Sequence, residues 1–205
     1  MSGEEMLKSD FFKKDTSDVA KNLLGKKIIR NISGNFFCAK IVETEAYLGL
    51  DDKACHSYGG NITKRNEILY KDGGYIYVYL IYGMYNLLNI VTRTEKEPEA
   101  VLIRAVEPID NLDKFANNRF NRNYEDLSNY QKKNLTNGPG KLTMGMAIDR
   151  NLNGKVLSKD YLYIEDFEVP KKIVVDKRVG IDYAGEDAEL PLRFYIGDNK
   201  FVSKK

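Results

Sequence analysis

The stretch Ile41-Val42-Glu43-Thr44-Glu45-Ala46-Tyr47-Leu48-Gly49 sets two carboxylates and a phenol inside an apolar, strand-forming run. In a strand, successive side chains face opposite sides, so Glu43, Glu45 and Tyr47 project one way and Val42, Thr44 and Ala46 the other. A carboxylate half-buried among apolar neighbours costs free energy unless hydrogen bonds or a cation compensate. Such sites are where proton affinities are tuned for acid–base work. The alternative is an edge strand whose glutamates face water. Arg104 interrupts a second apolar run, 101–108. A guanidinium cannot shed its charge to escape burial, so Arg104 needs an anion, and a strand glutamate is the obvious candidate. That pair could be structural or catalytic.

Other groups suit nucleic acid. His56, the only histidine, lies in a polar loop at 51–60 that can fold back over Glu45 or remain a surface loop. Thr63-Lys64-Arg65-Asn66 beside it offers two cations and two hydrogen-bonding side chains suited to phosphates. Strict alternation through 75–81 puts Tyr75, Tyr77 and Tyr79 on one face and Ile76, Val78 and Leu80 on the other. The phenols form either an amphipathic strand packed under a loop or a platform for stacking bases. Tyr82-Gly83-Met84-Tyr85 then reads as a tight turn that displays a ring and a thioether to solvent, a form suited to wedging between base steps. Asn137-Gly138-Pro139-Gly140-Lys141-Leu142 leaves backbone N–H groups and one lysine available for a phosphate.

The elements that must position these groups follow from pattern. Residues 16–24, stopped by Gly25, read as a capped helix. The runs 26–32 and 35–47 form a hairpin about Ser33-Gly34, and further strands are predicted at 75–81, 87–92, 101–108, 156–165, 172–176 and 192–196. Residues 110–130 read as polar, helix-compatible surface, and 143–148 as a short helix. No internal repeat or linker interrupts the chain.

A chain of 205 residues, 42% of them hydrophobic, suffices for one sizeable core, so 1–205 is expected to form a single domain with flexible tails at 1–8 and 200–205. The absence of a long apolar run or leader-like N-terminus points to a cytoplasmic protein without membrane partners. Cys38 and Cys55 lack metal spacing and read as free thiols, so no metal site is expected. A net charge of +2 gives no global basic field, although 32 Lys and Arg leave room for a local one.

Together these motifs resemble the alkyladenine (3-methyladenine) DNA glycosylase family. The resemblance is carried by residues 41–49, Ala54-Cys55-His56-Ser57, 63–66, Tyr77-Val78-Tyr79, 82–85, Asn89, Arg104-Ala105-Val106-Glu107-Pro108, 138–142 and Arg178-Val179-Gly180-Ile181, in the family's order over nearly the whole chain. It implies an α+β fold: a single compact domain around a curved, mainly antiparallel sheet with a protruding, DNA-intercalating hairpin. It also implies a monofunctional enzyme of base-excision repair, nucleoid-associated in a bacterium and monomeric, acting on damaged purines in double-stranded DNA without cofactor or metal. By similarity, Glu45 activates water and Arg104 helps to hold it. Tyr47, His56, Tyr79 and Asn89 line the pocket for the flipped base. Tyr82 fills the gap in the duplex, and Gly83, Met84, Thr63, Arg65 and Lys141 face DNA. The family often carries a basic residue near Gly60 or Asn61; its absence weakens the expected phosphate grip there. Two other classes fit parts of the pattern. One is a non-catalytic single-strand-binding module built on the tyrosine face; the other is a carbohydrate hydrolase using Glu43 and Glu45.

Overall fold

A computed structural model describes residues 5–204. Two short helices lead in, α1 (Ser9–Phe12) and α2 (Thr16–Leu23). The cap of α2 is Asp15, whose carboxylate accepts from Ser17 and Asp18 N–H, one residue earlier than the Thr-Ser-Asp pattern suggests. Thr16 instead turns inward and its hydroxyl meets that of Thr92 at 2.6 Å. Strands β1 (Lys27–Ile32) and β2 (Asn35–Tyr47) form the expected hairpin, and β3 (Ile76–Ile81) and β4 (Tyr85–Thr92) form a second. Then come β5 (Glu99–Pro108), α3 (Leu112–Phe120), α4 (Asn129–Lys133), α5 (Pro139–Gly145), β6 (Leu162–Glu165), β7 (Ile173–Asp176) and β8 (Arg193–Ile196).

Among the described residues the strands join in one curled antiparallel sheet of eight, in the order β3-β4-β5-β2-β1-β6, with β8 on β2 and β7 on β8. The architecture is therefore α+β, as expected. Strand β2 is its spine. β1 pairs with it over residues 35–40, and β8 takes over that edge at Glu43–Glu45. Along the other edge, against β5, the register skips Val42 on β2 and then Arg104 on β5. Such bulges bend a strand and re-aim a side chain, and here they lie where the three charged residues meet. Apolar residues of the opposite face, Val42 and Ala46 among them, pack with α2, and the Thr44 hydroxyl donates to Ala20 O at 2.8 Å.

Several sequence-based boundaries need correction. Residues 110–130 are not all surface: Phe115 and Ala116 of α3 are fully buried, since a helix can hide two residues within a polar sequence. The helix expected at 143–148 begins at Pro139, whose fixed φ suits the first helical position. Gly140 lets that helix approach β4, because a Cβ there would lie 3.0 Å from the Tyr85 ring. Only Leu162–Glu165 of the run 156–165 is strand; Ser158 and Asp160 form a turn within it. Parts of both tails pack. Leu7, Phe201 and Val202 are buried, and Leu7 N–H donates to Ile164 O at 2.8 Å. Residues 1–4 and 205 lie outside the described residues. Among the described residues no helix is long and apolar enough to cross a membrane.

Candidate active site

Glu43 and Glu45 are both fully buried, so the water-facing edge strand is not what the chain builds. Arg104 supplies the cation they need. Its Nε lies 3.2 Å from Glu43 Oε1 and its Nη1 3.4 Å from Glu45 Oε1. Glu45 Oε1 also accepts from Val179 N–H at 2.8 Å, and Oε2 accepts from the Tyr47 hydroxyl at 2.9 Å. Burial pushes the Glu45 pKa above the usual carboxylate range; Arg104, the Val179 N–H and the Tyr47 hydroxyl oppose that rise without cancelling it. Burial likewise raises the Tyr47 phenol, so it remains a donor.

A cavity of about 560 Å³ opens in front of this pair, within the range of small-molecule sites. Tyr47, Arg104 and Val179 line its floor and cover Glu45, which has no exposed surface of its own. His56, Tyr77, Tyr79 and Asn89 line the cavity too. His56 packs edge-on against Tyr79, centroids 4.5 Å apart, and its Nδ1 shares a 2.8 Å hydrogen bond with the Tyr77 hydroxyl. Asn66, buried, fixes the loop behind: its amide donates to His56 O and Asn61 O, while its Oδ1 accepts from Thr63 N–H and hydroxyl. Asn89, also buried, donates to Tyr77 O at 3.3 Å.

Burial, and then the nearby Arg65 charge, push the His56 pKa down to about 4. The imidazole is therefore neutral at pH 7. In an NMR titration its ring protons are expected to shift with a midpoint near 4 rather than about 6.5. Because the unfolded state takes up this proton first, thermal stability should fall as pH drops from about 6.5 through 4.

The remaining sequence-predicted residues fall around the mouth. Arg65 lines the cavity with its guanidinium 5.4 Å from the Tyr79 ring centre. Lys141 also lines it, but its ammonium donates to Asn134 Oδ1 at 2.7 Å and Asn137 Oδ1 at 2.9 Å. Tyr82 reaches the rim, whereas Gly83 and Met84 at the hairpin tip and Thr63 in the loop do not line the cavity. Tyr82 is 82% exposed and Met84 65%. Tyr82 and Gly83 both take left-handed backbone angles, φ 53° and 69°. With Met84 they make the three-residue loop between the paired Ile81 and Tyr85, and the left-handed angle is strained for a tyrosine.

Sequence reasoning missed four participants. Tyr77, for which sequence left open either packing under a loop or base stacking, is 2% exposed and anchors His56, a partnership the pattern did not show. Arg193 is buried against Glu43, with Nη1 to Oε1 at 2.9 Å. Arg178 and Asp52 form a buried bidentate pair behind Tyr47. Tyr183 lines the mouth while 72% exposed. The apolar flanks of Arg193 in Pro191-Leu192-Arg193-Phe194 were the one available signal, of the same kind that exposed Arg104.

Comparison with known proteins shows the family. The family model for methylpurine-DNA glycosylase matches residues 10–200. A protein of Clostridium novyi (strain NT) is 53% identical over 199 residues, covering 97% of this chain and 98% of its own. One from Clostridium perfringens (strain 13 / Type A) is 51% identical over 200 residues, covering 96% and 98%. One from Clostridioides difficile (strain 630) is 49% identical over 201 residues, covering 93% and 100%. Each of the three carries the name "Putative 3-methyladenine DNA glycosylase". With a match that spans the sheet, the buried carboxylates and the cavity in front of them, the chain belongs to the methylpurine-DNA glycosylase family and is a DNA glycosylase.

Proposed function

We propose that this enzyme flips alkylated or deaminated purines, of the 3-methyladenine, hypoxanthine and ethenoadenine class, out of duplex DNA and hydrolyses their N-glycosidic bond. The observation that carries the reading is a buried carboxylate paired with an arginine at the back of an aromatic-walled cavity. Flipping is required because the glycosidic bond cannot be reached inside the stack. In the cavity the base meets Tyr47, Tyr79 and His56, and Asn89 sets an amide against its edge. An aromatic enclosure favours a base made cationic by alkylation, on the order of 0.5–2 kcal/mol for a good contact.

The Val179 N–H and the Arg104 guanidinium both meet Glu45 at Oε1, so Oε2 keeps a lone pair beyond the one that accepts from Tyr47. The attacking water takes that lone pair when the Tyr47 hydroxyl gives way to it, since Glu45 has no exposed surface while Tyr47 covers it. As the C1′–N bond breaks, its electron pair leaves with the base and the sugar becomes oxocarbenium-like, a charge that the fixed carboxylate stabilises. Water oxygen bonds to C1′ and its proton passes to Glu45, leaving an abasic site for base-excision repair. Double-stranded DNA is the partner and a monomer suffices. The exposed Tyr82 ring would fill the vacated space, with Met84 and Gly83 beside it and Arg65, Thr63 and Lys141 towards the backbone.

Other readings lose their footing. A stacking platform needs an exposed tyrosine face, and Tyr77 is buried and hydrogen-bonded. A sugar hydrolase needs carboxylates on both sides of its substrate, whereas Glu43 and Glu45 share one arginine. The test is incubation with duplexes carrying a single 3-methyladenine, hypoxanthine or ethenoadenine, followed by alkaline cleavage at abasic sites. Cleavage at the lesion alone is expected, and no cleavage in any duplex would sink the proposal. In the same duplexes Tyr82→Ser should bind about 10–100-fold more weakly, the worth of one stacking contact, with an unchanged melting temperature.

A further inference from the structure

Two carboxylates compete for Arg104, and the closer contact is with Glu43, at 3.2 Å against 3.4 Å for Glu45. Left alone, a guanidinium beside two anions settles on the one that is poorer in other donors. Glu43 is instead richly supplied. Its Oε1 accepts from Arg193 Nη1 at 2.9 Å and from the Ser203 hydroxyl at 3.0 Å, and its Oε2 accepts from Ser203 N–H at 2.7 Å. Arg193 is itself held, by Asp176 Oδ2 at 2.6 Å, Lys177 O at 2.9 Å and Lys204 O at 2.8 Å. Buried Phe201 and Val202 anchor the segment that brings Ser203 here.

Ser203 also touches Arg104 directly: its hydroxyl oxygen accepts from Arg104 Nε at 3.1 Å. The guanidinium is a rigid planar fork, so a grip on Nε sets the direction of both terminal nitrogens. Held by that end, Arg104 keeps Nη1 within reach of Glu45 and lines the cavity.

We infer that Ser203, far outside the motifs that carry the family likeness, is a positioning residue: with Glu43, which Arg193 holds in place, it grips Arg104 by Nε and aims its other end at Glu45. The inference rests on the reading of Glu45 and Arg104 as the catalytic pair. Ser203 acts through Arg104 and touches no reacting atom.

The experiment is single-turnover base release from a hypoxanthine-containing duplex across a pH series, for wild type, Ser203→Ala, Ser203→Thr, Ser203→Cys and Glu45→Gln. Ser203→Ala should be about 10-fold slower, the order expected when a catalytic group is slightly misplaced, with duplex affinity changed less than twofold. Its acid limb should move to higher pH, because a loosened Arg104 stabilises the Glu45 carboxylate less. The other groups that bear on Glu45, namely Glu43, Tyr47, Tyr79, Arg178 and Tyr183, stay in place. Ser203→Thr keeps the hydroxyl and should recover the wild-type rate and limb. Ser203→Cys, similar in shape but a weaker hydrogen-bonding group, should fall between and decides the matter if the alanine variant does not fold. An unmoved acid limb in Ser203→Ala, or in Ser203→Cys where that variant decides, overturns the inference even if the melting temperature drops, for the serine would then only stabilise. Should Glu45→Gln be inactive while the serine variants match wild type, this inference alone fails. Should Glu45→Gln cut at the wild-type rate, the catalytic reading falls and this one with it.

Discussion

Glu45→Gln is expected to slow single-turnover base release by about 10³-fold while leaving affinity for a lesion-containing duplex within about threefold. General-base catalysis contributes typically 10²–10⁴-fold, and the same substitution removes the anion opposite the developing sugar charge. Binding is spared because Glu45 has no surface in the cavity. The fold is spared because a glutamine oxygen can still accept from Val179 N–H, and Arg104 retains Glu43. With Glu45 as the proposed base, the wild-type rate is expected to rise with pH through the Glu45 pKa, as the carboxyl loses its proton, and then to level. Since burial raises that pKa, the rise should lie above the ordinary glutamate value of about 4.3. Rapid-quench kinetics with excess enzyme measure both features. A glutamine variant that cuts at the wild-type rate would rule out the carboxylate as the base.

Arg178→Met is expected to produce the largest loss of stability, about 3–5 kcal/mol, because it strands a buried carboxylate. For a chain of this length that corresponds to a fall of roughly 10 °C in melting temperature. Both terminal nitrogens of Arg178 donate to Asp52, with Nη2 at 2.8 Å from Oδ1, and Nη1 also donates to Ala46 O. Asp52 in turn accepts from Leu48 N–H and Ala54 N–H, so the pair ties the end of β2 to the loop that carries His56. Against the cost of burial, Arg178 and those N–H groups hold the Asp52 carboxyl below its usual pKa. Such a group adds stability above its unfolded value near 3.9 and loses it as pH falls through the folded one. The deficit of the variant should therefore shrink from pH 7 towards acid, as thermal melts at several pH values will register. Activity should fall too, since Val179 adjoins Arg178 and its N–H holds Glu45.

What could be read from sequence was chemistry expressed within a single run. Glu45 and Arg104 announced themselves as charges in apolar strands, and the Ser33-Gly34 and Tyr82-Gly83 turns announced hairpins. Partners remote along the chain left no such trace. Ser203 meets Glu43 across 160 positions and Arg178 meets Asp52 across 126, and nothing local says so. The skipped register at Val42 and Arg104 is likewise invisible, since a bulge is a relation between two strands. Alternation placed Tyr77 and Tyr79 on one face correctly but could not choose between a face packed under a loop and one open to bases. Lys141 looked free for phosphate because no local pattern says that Asn134 and Asn137 accept from its ammonium.

The β3–β4 hairpin has a geometric consequence. Tyr79, which faces the cavity, and Tyr82, at the tip, belong to one uninterrupted stretch of backbone and stand roughly 10 Å apart at strand rise. Pairing of Ile81 with Tyr85 across a three-residue turn, Tyr82 to Met84, leaves little slack between them. One inserted residue would rotate every later side chain to the other face. On the proposed reading, the hairpin is thus a ruler of fixed length, with one mark where a nucleobase would lodge and the other at the hole it would leave.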